Sequence, residues 1–480
     1  MIDFASMPRQ FIISRRAYSD VSHARQVSFA GFHCLTEKSV PRVVLADQQG
    51  DQRGLLLGWV IHHGQLLSDG ATVHALMNDG PPIRQLFGRY VCLWEESGTF
   101  RFRIDPNGFL PAVYDASNDL IASTSTIISA LHAIEPDESV RGIFEFPTRR
   151  GFIPFGLTNY HGVRRVLANH VLDMDSWQLT RVWPSGEFCS RHLADQSEVD
   201  EMVADAARLV KSYVCAVLNG GRGVLYLSGG YDSRMVLAAC RQYSNRLTCQ
   251  TLVDDASPDS WIATRVARTA GVSHTLIEIA PTSRADVDAW LHRTGYTFYD
   301  PLTELAETAR LNDSGCFTMD GTGAELLRAS NWIDRDISVP GLSVEMLLQR
   351  IRIPDTPVIR SAAAAWLDSL PTVDATMALD IAKIEQIHGC WAGVGVYGHL
   401  VSHPSLSPFS GLRISEIALR LPKTYKLHGG FYRDFLTLLW PELLQIPVNR
   451  VTGLQRVRYW KHELRRLVPS SVRRWLRPYR

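Results

Sequence analysis

The sequence has almost no net charge. Its 480 residues carry 50 Lys and Arg against 49 Asp and Glu, which leaves +1 with the histidines neutral. So weak a global field gives no reason to expect nucleic acid or a membrane surface as the main partner. Long hydrophobic runs are also missing, since no apolar stretch nears the ~20 residues that a membrane helix needs. Asp3, Arg9, Arg15, Arg16 and Asp20 interrupt the first twenty residues. No signal-peptide core is expected there, and the expected location is cytoplasmic. Cysteines are few and scattered. Cys34, Cys92, Cys189, Cys215, Cys240, Cys249, Cys316 and Cys390 include no C-x-x-C pair, which argues against a disulfide framework or a zinc site and for reduced thiols. Internal repeats and low-complexity tracts are absent too.

What is present is the composition of an ordinary globular protein, 45% hydrophobic and 21% charged. The length suits two or three domains. The pattern divides the chain into residues 1–190, 195–445 and a tail, 446–480. The first part reads as short strands punctuated by turns: Leu55–Ile61, Tyr90–Trp94, and a pair formed by Thr99–Ile104 and Ala112–Tyr114 across the turn-forming Asp105, Pro106, Asn107 and Gly108. Near Glu198 the apolar spacing becomes helical, with Met202, Val203, Ala206, Leu209 and Val210 on one face. Strands at 223–227 and 247–253 then alternate with helices from Asp232 and over 259–270, which predicts a doubly wound parallel sheet of the α/β class. Beyond about residue 340 the pattern is mostly helical. In the tail, Arg450, Arg456, Arg458, Lys461, Arg465, Arg466, Arg473, Arg474, Arg477 and Arg480 face only Glu463 as an acid. The tail reads as a basic amphipathic segment making a weak anionic contact, or as a solvated terminal helix; Pro469 and Pro478 argue for the second.

Chemistry concentrates where a buried strand, Gly223 to Leu227, runs into Ser228, Gly229, Gly230, Tyr231, Asp232 and Ser233 and directly opens a helix. Two glycines let the backbone approach an anion and are able to supply positive φ, successive N–H groups form a nest, and the helix N-terminus adds donors and a positive dipole end. Asp232 makes sense there as a ligand for Mg²⁺ beside phosphates. The structural alternative is a tight turn in which the glycines merely permit the bend.

Ser-Gly-Gly-x-Asp-Ser is the signature of the ATP-pyrophosphatase loop, and the chain resembles the class B asparagine synthetase family, which includes beta-lactam synthetases and lasso-peptide cyclases. Three further stretches carry the resemblance: Arg103 to Tyr114, Ser257 to Ala267 followed by Gly271 to His274, and Pro408-Phe409 with Ile414 to Pro422. It implies an N-terminal amidotransferase-like (Ntn-type) sandwich followed by a doubly wound ATP-pyrophosphatase domain with a helical C-terminal part. It further implies ATP and Mg²⁺, an ATP site of Leu227, Ser228, Gly229, Gly230, Asp232, Ser233, Leu252 and Gly321, and a ligase that adenylates a carboxylate and passes it to an amine.

Departures from the family matter as much. Its amidotransferases start with a catalytic cysteine, where this chain has Ile2 and no cysteine before Cys34, and no Asn-Gly-Glu segment lies near Gly58 and Trp59. The first domain is therefore expected to lack glutaminase activity. In Thr318 to Arg328 the family's second metal-binding Asp is replaced by Ala324. Asp320 is the candidate substitute ligand, joining Asp232 on the metal, and Glu325 is retained as a catalytic residue. The family's late-loop lysine has Arg450 at the comparable place, with Lys461 behind it. Two other readings stand beside the ligase: an ammonia-dependent asparagine synthetase, and an ATP-binding module that has lost turnover. His399 and His403 have the i, i+4 spacing of a zinc helix, but Pro404 ends any helix there, so both read as structural; the glycine-rich stretch Trp391 to Gly398 follows a helix and does not read as dinucleotide-binding.

Overall fold

The computed structural model describes residues 2–74, 81–190, 195–253 and 259–449. Two sheets form the first part. One has the spatial order Leu179–Arg181, His170–Asp173, Thr99–Ile104, Leu86–Glu96, Gln52–His62, Arg42–Ala46, Thr72–His74, with Gln65–Leu66 also on Gln52–His62. The other runs Arg164–Arg165, Val113–Asp115, Leu120–Ala122, Phe11–Ser14, Phe32–Glu37, Ala24–Phe29. The Arg42–Ala46 and Thr72–His74 pair is parallel. Strand alternation decides the packing. Leu55, Leu57, Trp59 and Ile61 share one core with Phe11, Ile13, Phe32 and Cys34 of the other sheet. The intervening Leu56 and Val60 join Tyr90, Cys92 and Trp94 in a separate cluster on the outer face. The two sheets therefore face each other as a sandwich.

One expectation fails here. Thr99–Ile104 and Val113–Asp115 are not a hairpin pair, because they lie in different sheets. The buried Asp105 carboxylate accepts the main-chain N–H groups of Asn107, Phe109 and Leu110 at 2.8–3.1 Å, and this knot carries the chain from one sheet to the other.

The second part is a five-stranded parallel sheet in the order Ser273–Glu278, Leu247–Val253, Gly223–Tyr226, Phe317–Met319, Ser405–Leu406. The helix Gln196–Asn219 precedes it, started by a reciprocal cap between Asp195 and Glu198. Helices Asp232–Ala239 and Asp259–Ala270 follow the first two strands. The strand order reverses at Gly223–Tyr226, so a crevice opens beyond the carboxyl end of that strand. Later helices include Val344–Ile351, Pro357–Asp368 and Ala375–Ala382, the last widening into a π-helical stretch, Lys383–Ala392. Gly393 N–H closes that stretch on the His388 carbonyl, five residues back, at 2.7 Å.

Buried polar contacts join the two parts. Arg9, 1% exposed, donates Nε to the Val396 carbonyl and Nη1 to the Val401 carbonyl, both at 2.8 Å, and Nη2 to the His399 carbonyl. Arg181 and the fully buried Glu385 form a two-pronged ion pair at 2.5 and 2.8 Å, and Trp366 Nε1–H donates to the same carboxylate at 2.7 Å. Among the described residues no helix is long and apolar enough to cross a membrane. Arg450, Lys461 and the rest of the basic tail lie outside the described residues.

Candidate functional site

The strand Gly223–Tyr226 ends in Leu227 and the Ser228–Ser233 loop, and the chain turns straight into the helix Asp232–Ala239. The loop is pinned by its own hydroxyls. Ser228 N–H donates to Ser233 Oγ at 3.0 Å, the two Oγ atoms lie 3.1 Å apart, and Gly230 N–H donates to Ser228 Oγ at 3.2 Å. Gly229 N–H donates to the Asp259 carboxylate at 2.8 Å.

Two details differ from the sequence reading. Neither Gly229 nor Gly230 has positive φ; what Gly229 provides is room, because a Cβ there would meet Asp259 Oδ1 at 2.8 Å and Ile262 Cδ1 at 3.1 Å. The Gly229 and Gly230 amides are also used within the protein and do not form an open nest. The donors left to an incoming anion are the N–H groups of the first helical turn, which have no intrahelical acceptor, and the serine hydroxyls.

This loop borders a cleft of about 640 Å³, within the range of small-molecule sites. Leu227, Ser228, Asp232, Ser233, Leu252, Asp320, Gly321 and Glu325 all stand on its wall, so eight of the sequence-derived positions share one cavity. Gly229 and Gly230 lie behind the wall. Gly321 explains how the acidic loop comes so near: a Cβ there would meet the Asp232 carbonyl carbon at 2.6 Å and Ser233 N at 2.7 Å, so backbone packs directly on backbone. Asp320 is held by Thr322 N–H at 2.8 Å and by the Ser405 hydroxyl. Ala324 is fully buried.

Asp232 accepts from Tyr432 Oη at 2.9 Å and from Arg328 Nη2 at 3.4 Å. Burial raises its carboxyl above the ordinary value; Arg328 opposes that shift, Glu325 adds to it and Tyr432 opposes it. Glu325 is not a solvated helix-start residue. Its Oε1 lies 3.1 Å from His388 Nε2 and 3.3 Å from Lys383 Nζ, and its Oε2 accepts Gly323 N–H at 2.7 Å. Burial works to raise this carboxyl, but the His388 contact and the Lys383 ammonium outweigh it and hold Glu325 well below the usual carboxylate range. His388 Nδ1 is buried without a partner, which suits a neutral imidazole donating through Nε2.

Sequence reasoning missed Arg328, Lys383, His388, Tyr432 and Trp391. Arg328, Lys383 and Trp391 line the cleft, Lys383 and Trp391 from the π-helical stretch. An unusually wide helical turn was the structural signal, and it leaves no trace in residue spacing. His399 is on the cleft wall and follows the short helix Gly395–Gly398, so it and His403 do not form a helical zinc pair.

Among the described residues no three His, Cys, Asp or Glu side chains gather as a self-sufficient metal cage. Mg²⁺ asks for less, taking one or two carboxylates together with phosphate oxygens. Asp232, whose charge burial disfavours and whose cleft neighbours include Asp320 and Glu325, is a donor that a divalent cation would suit. The side chains present fit the ion.

No family model and no curated protein matches the chain. Among solved structures it is similar to the NMN synthetase from Francisella tularensis, with 15% identity, 39% of this chain and 92% of that chain covered, and a TM-score of 0.21.

Proposed function

We propose that the chain is an ATP-dependent, AMP-forming carbon–nitrogen ligase of the asparagine synthetase type, which adenylates a carboxylate and passes it to an amine without hydrolysing glutamine. One observation carries the reading: the Ser228–Ser233 loop, the carboxylates Asp232 and Asp320, and the Glu325–Lys383 pair line a single cleft at the reversal point of a parallel sheet.

ATP enters with its β- and γ-phosphates toward the first turn of the Asp232–Ala239 helix and the hydroxyls of Ser228 and Ser233. Leu227 and Leu252 flank the nucleotide. Asp232 and Asp320 would hold Mg²⁺, which supplies charge neutralisation between the phosphates. A substrate carboxylate oxygen attacks the α-phosphorus, the α–β bridging P–O bond breaks, and pyrophosphate leaves with the electron pair. Arg328 and Lys383, both fixed at the wall, are placed to stabilise the charge that develops on it. They take the part that the sequence reading gave to Arg450. The amine then attacks the acyl carbon, AMP departs, and a proton is lost from nitrogen. Glu325 stays ionised beside Lys383 and His388 and orients that ammonium.

Titration with MgATP, followed by product identification over a panel of carboxylate and amine pairs, tests the reading. AMP with pyrophosphate supports it; ADP with phosphate, or no nucleotide binding, overturns it. An ATP-binding module without turnover is the second reading, favoured by the buried methyl of Ala324 at the family's second metal position. Binding of MgATP with no pyrophosphate from any pair would support that one. An ammonia-dependent asparagine synthetase would release AMP with aspartate and ammonia alone.

A further inference from the structure

We propose that the N-terminal sandwich contributes a carboxylate-recognition subsite to this cleft, in which Arg89 receives a carboxylate of the substrate; the proposal rests on the ligase reading for what that substrate is.

Arg89 sits in the strand Leu86–Glu96, is 6% exposed, and reaches the cleft wall from the first part of the chain. Two of its nitrogens are committed: Nε donates to the Ser405 carbonyl at 2.5 Å and Nη1 to the Phe109 carbonyl at 2.7 Å. Nη2 has no partner among the described residues and is not sealed from solvent, so its donors open on the cleft. A guanidinium used only as a strut between the two parts would not need that third nitrogen facing a cavity.

Charge leads to the same conclusion. Among the described residues, no carboxylate lies within ion-pair reach of Arg89 or of Arg9, which lines the same wall. Arg9 gives its guanidinium to three carbonyl groups, and its partner Glu37 binds the main-chain N–H instead. Burial lowers the Arg9 pKa to about 10; Glu37 opposes the fall and Arg89 adds to it. Glu37 and Asp313 act on Arg9, and the buried Asp105 interacts with Arg89, only from beyond contact distance, so the two guanidinium groups at this end of the cleft carry no direct ion pair among the described residues. A carboxylate oxygen is a group that the remaining nitrogen of a fixed guanidinium binds through a charge-assisted hydrogen bond.

Position separates this anion from the nucleotide phosphates. Arg89 is anchored on Ser405, in the edge strand, two strands over from Gly223–Tyr226. Adjacent strands lie ~4.8 Å apart, which puts the anchor roughly 10 Å to the side of the loop strand. Ser405 also donates to Asp320, so the subsite begins where the metal-binding candidate ends. Val401, Pro404 and Trp391 line the same cleft and offer it apolar surface for the carbon skeleton of an acid.

The test is calorimetric titration of the full chain at constant ionic strength with three probes: succinate for the carboxylate, pyrophosphate for phosphate, and MgATP. Wild type is expected to bind succinate, Arg89→Gln to lose at least about tenfold in that affinity, and Arg89→Lys, which keeps the charge without the fixed planar group, to fall between the two. Pyrophosphate and MgATP affinities are expected to stay within about twofold in both variants. Succinate binding that is absent in the wild type or unchanged in Arg89→Gln overturns the subsite, as does a loss that falls on pyrophosphate. If Arg89→Gln does not fold, a crystal of the wild type grown with succinate decides: a carboxylate on Nη2 supports the subsite, and one elsewhere overturns it. Succinate bound at Arg89 with no MgATP binding leaves the subsite standing and removes the ligase reading; the reverse result removes the subsite alone.

Discussion

Tyr432 Oη donates to Asp232 Oδ1 at 2.9 Å while its ring stacks on Tyr231, with centroids 4.7 Å apart and planes within 6°. One side chain from the helix Gly430–Leu439 thus grips both Tyr231, just before the helix Asp232–Ala239, and Asp232, the first residue of that helix. The carboxylate at this junction is fixed before any ligand arrives.

Asp232→Asn is expected to abolish pyrophosphate release while leaving the fold intact. The sign for stability follows from the raised carboxyl. A group whose folded pKa exceeds its unfolded value contributes stability at low pH and loses it as pH rises through the folded pKa, so at neutral pH ionised Asp232 is a cost. The ligand-free variant should therefore melt no lower than wild type at pH 7, and calorimetry without nucleotide checks this. Pyrophosphate release near the wild-type rate would remove Asp232 from the chemistry.

The acid limb of the pH profile should belong to Asp232. Its carboxyl titrates above the ordinary aspartate value, whereas Glu325 is held well below its own. Activity is expected to fall on acidification before Glu325 is protonated. Arg328 opposes the upward shift, so Arg328→Gln should move the limb to higher pH. Rates of pyrophosphate release between about pH 4 and 8 read the shift; a limb that does not move would detach Arg328 from Asp232.

Gly229→Ala should impair nucleotide binding through backbone displacement. The new methyl would stand 2.8 Å from Asp259 Oδ1 and 3.1 Å from Ile262 Cδ1, and Ile262 is fully buried in the core. Overpacking of this kind costs about 1–3 kcal/mol, enough for roughly a tenfold or greater loss of MgATP affinity if the loop is what moves. Unchanged affinity would mean the helix Asp259–Ala270 gives way instead.

Arg181→Met should destabilise far more than loss of a surface charge. Glu385 is fully buried, and without Arg181 it keeps, among the described residues, only Trp366 and Asn169 as donors. Breaking such a pair from one side costs about 3–5 kcal/mol. Replacing both residues, as Arg181→Met with Glu385→Leu, should recover most of the loss in chemical denaturation. A single variant as stable as wild type would show the pair to be idle.

Glutamine should not be hydrolysed. Cys34 is buried, and burial pushes its thiol up to about 12, so it does not supply a thiolate near neutral pH. Glutamate release above that of Cys34→Ala would contradict this.

The Ser228–Ser233 loop is legible in the sequence because its chemistry is local: strand, small residues and helix start are consecutive. Asp320 and Gly321 are reached through the family resemblance, since the short strand Phe317–Met319 that ends just before them is not among the strands the residue pattern predicts. Lys383, His388 and Tyr432 are not, because what brings them to Glu325 and Asp232 is the packing of helices far along the chain. The hairpin expected across Asp105 fails for a related reason: a turn-forming run specifies a bend, while the partner of the next strand is settled by which core its side chains join. The roles of Gly229 and Gly230 are only half legible, since composition announces small residues and does not say whether the need is for φ or for space.

Arg9 and the carbonyl it binds at Val396 are separated by 387 residues. During synthesis at about 5–20 residues per second, that guanidinium leaves the ribosome roughly 20–80 s before its acceptor exists. Until then the cation stays hydrated, and its water is stripped only when the segment around Val396 docks. Closure of the cleft wall is in this sense a late event of translation, and a nascent chain arrested before residue 396 would carry the complete nucleotide loop beside an unfinished wall.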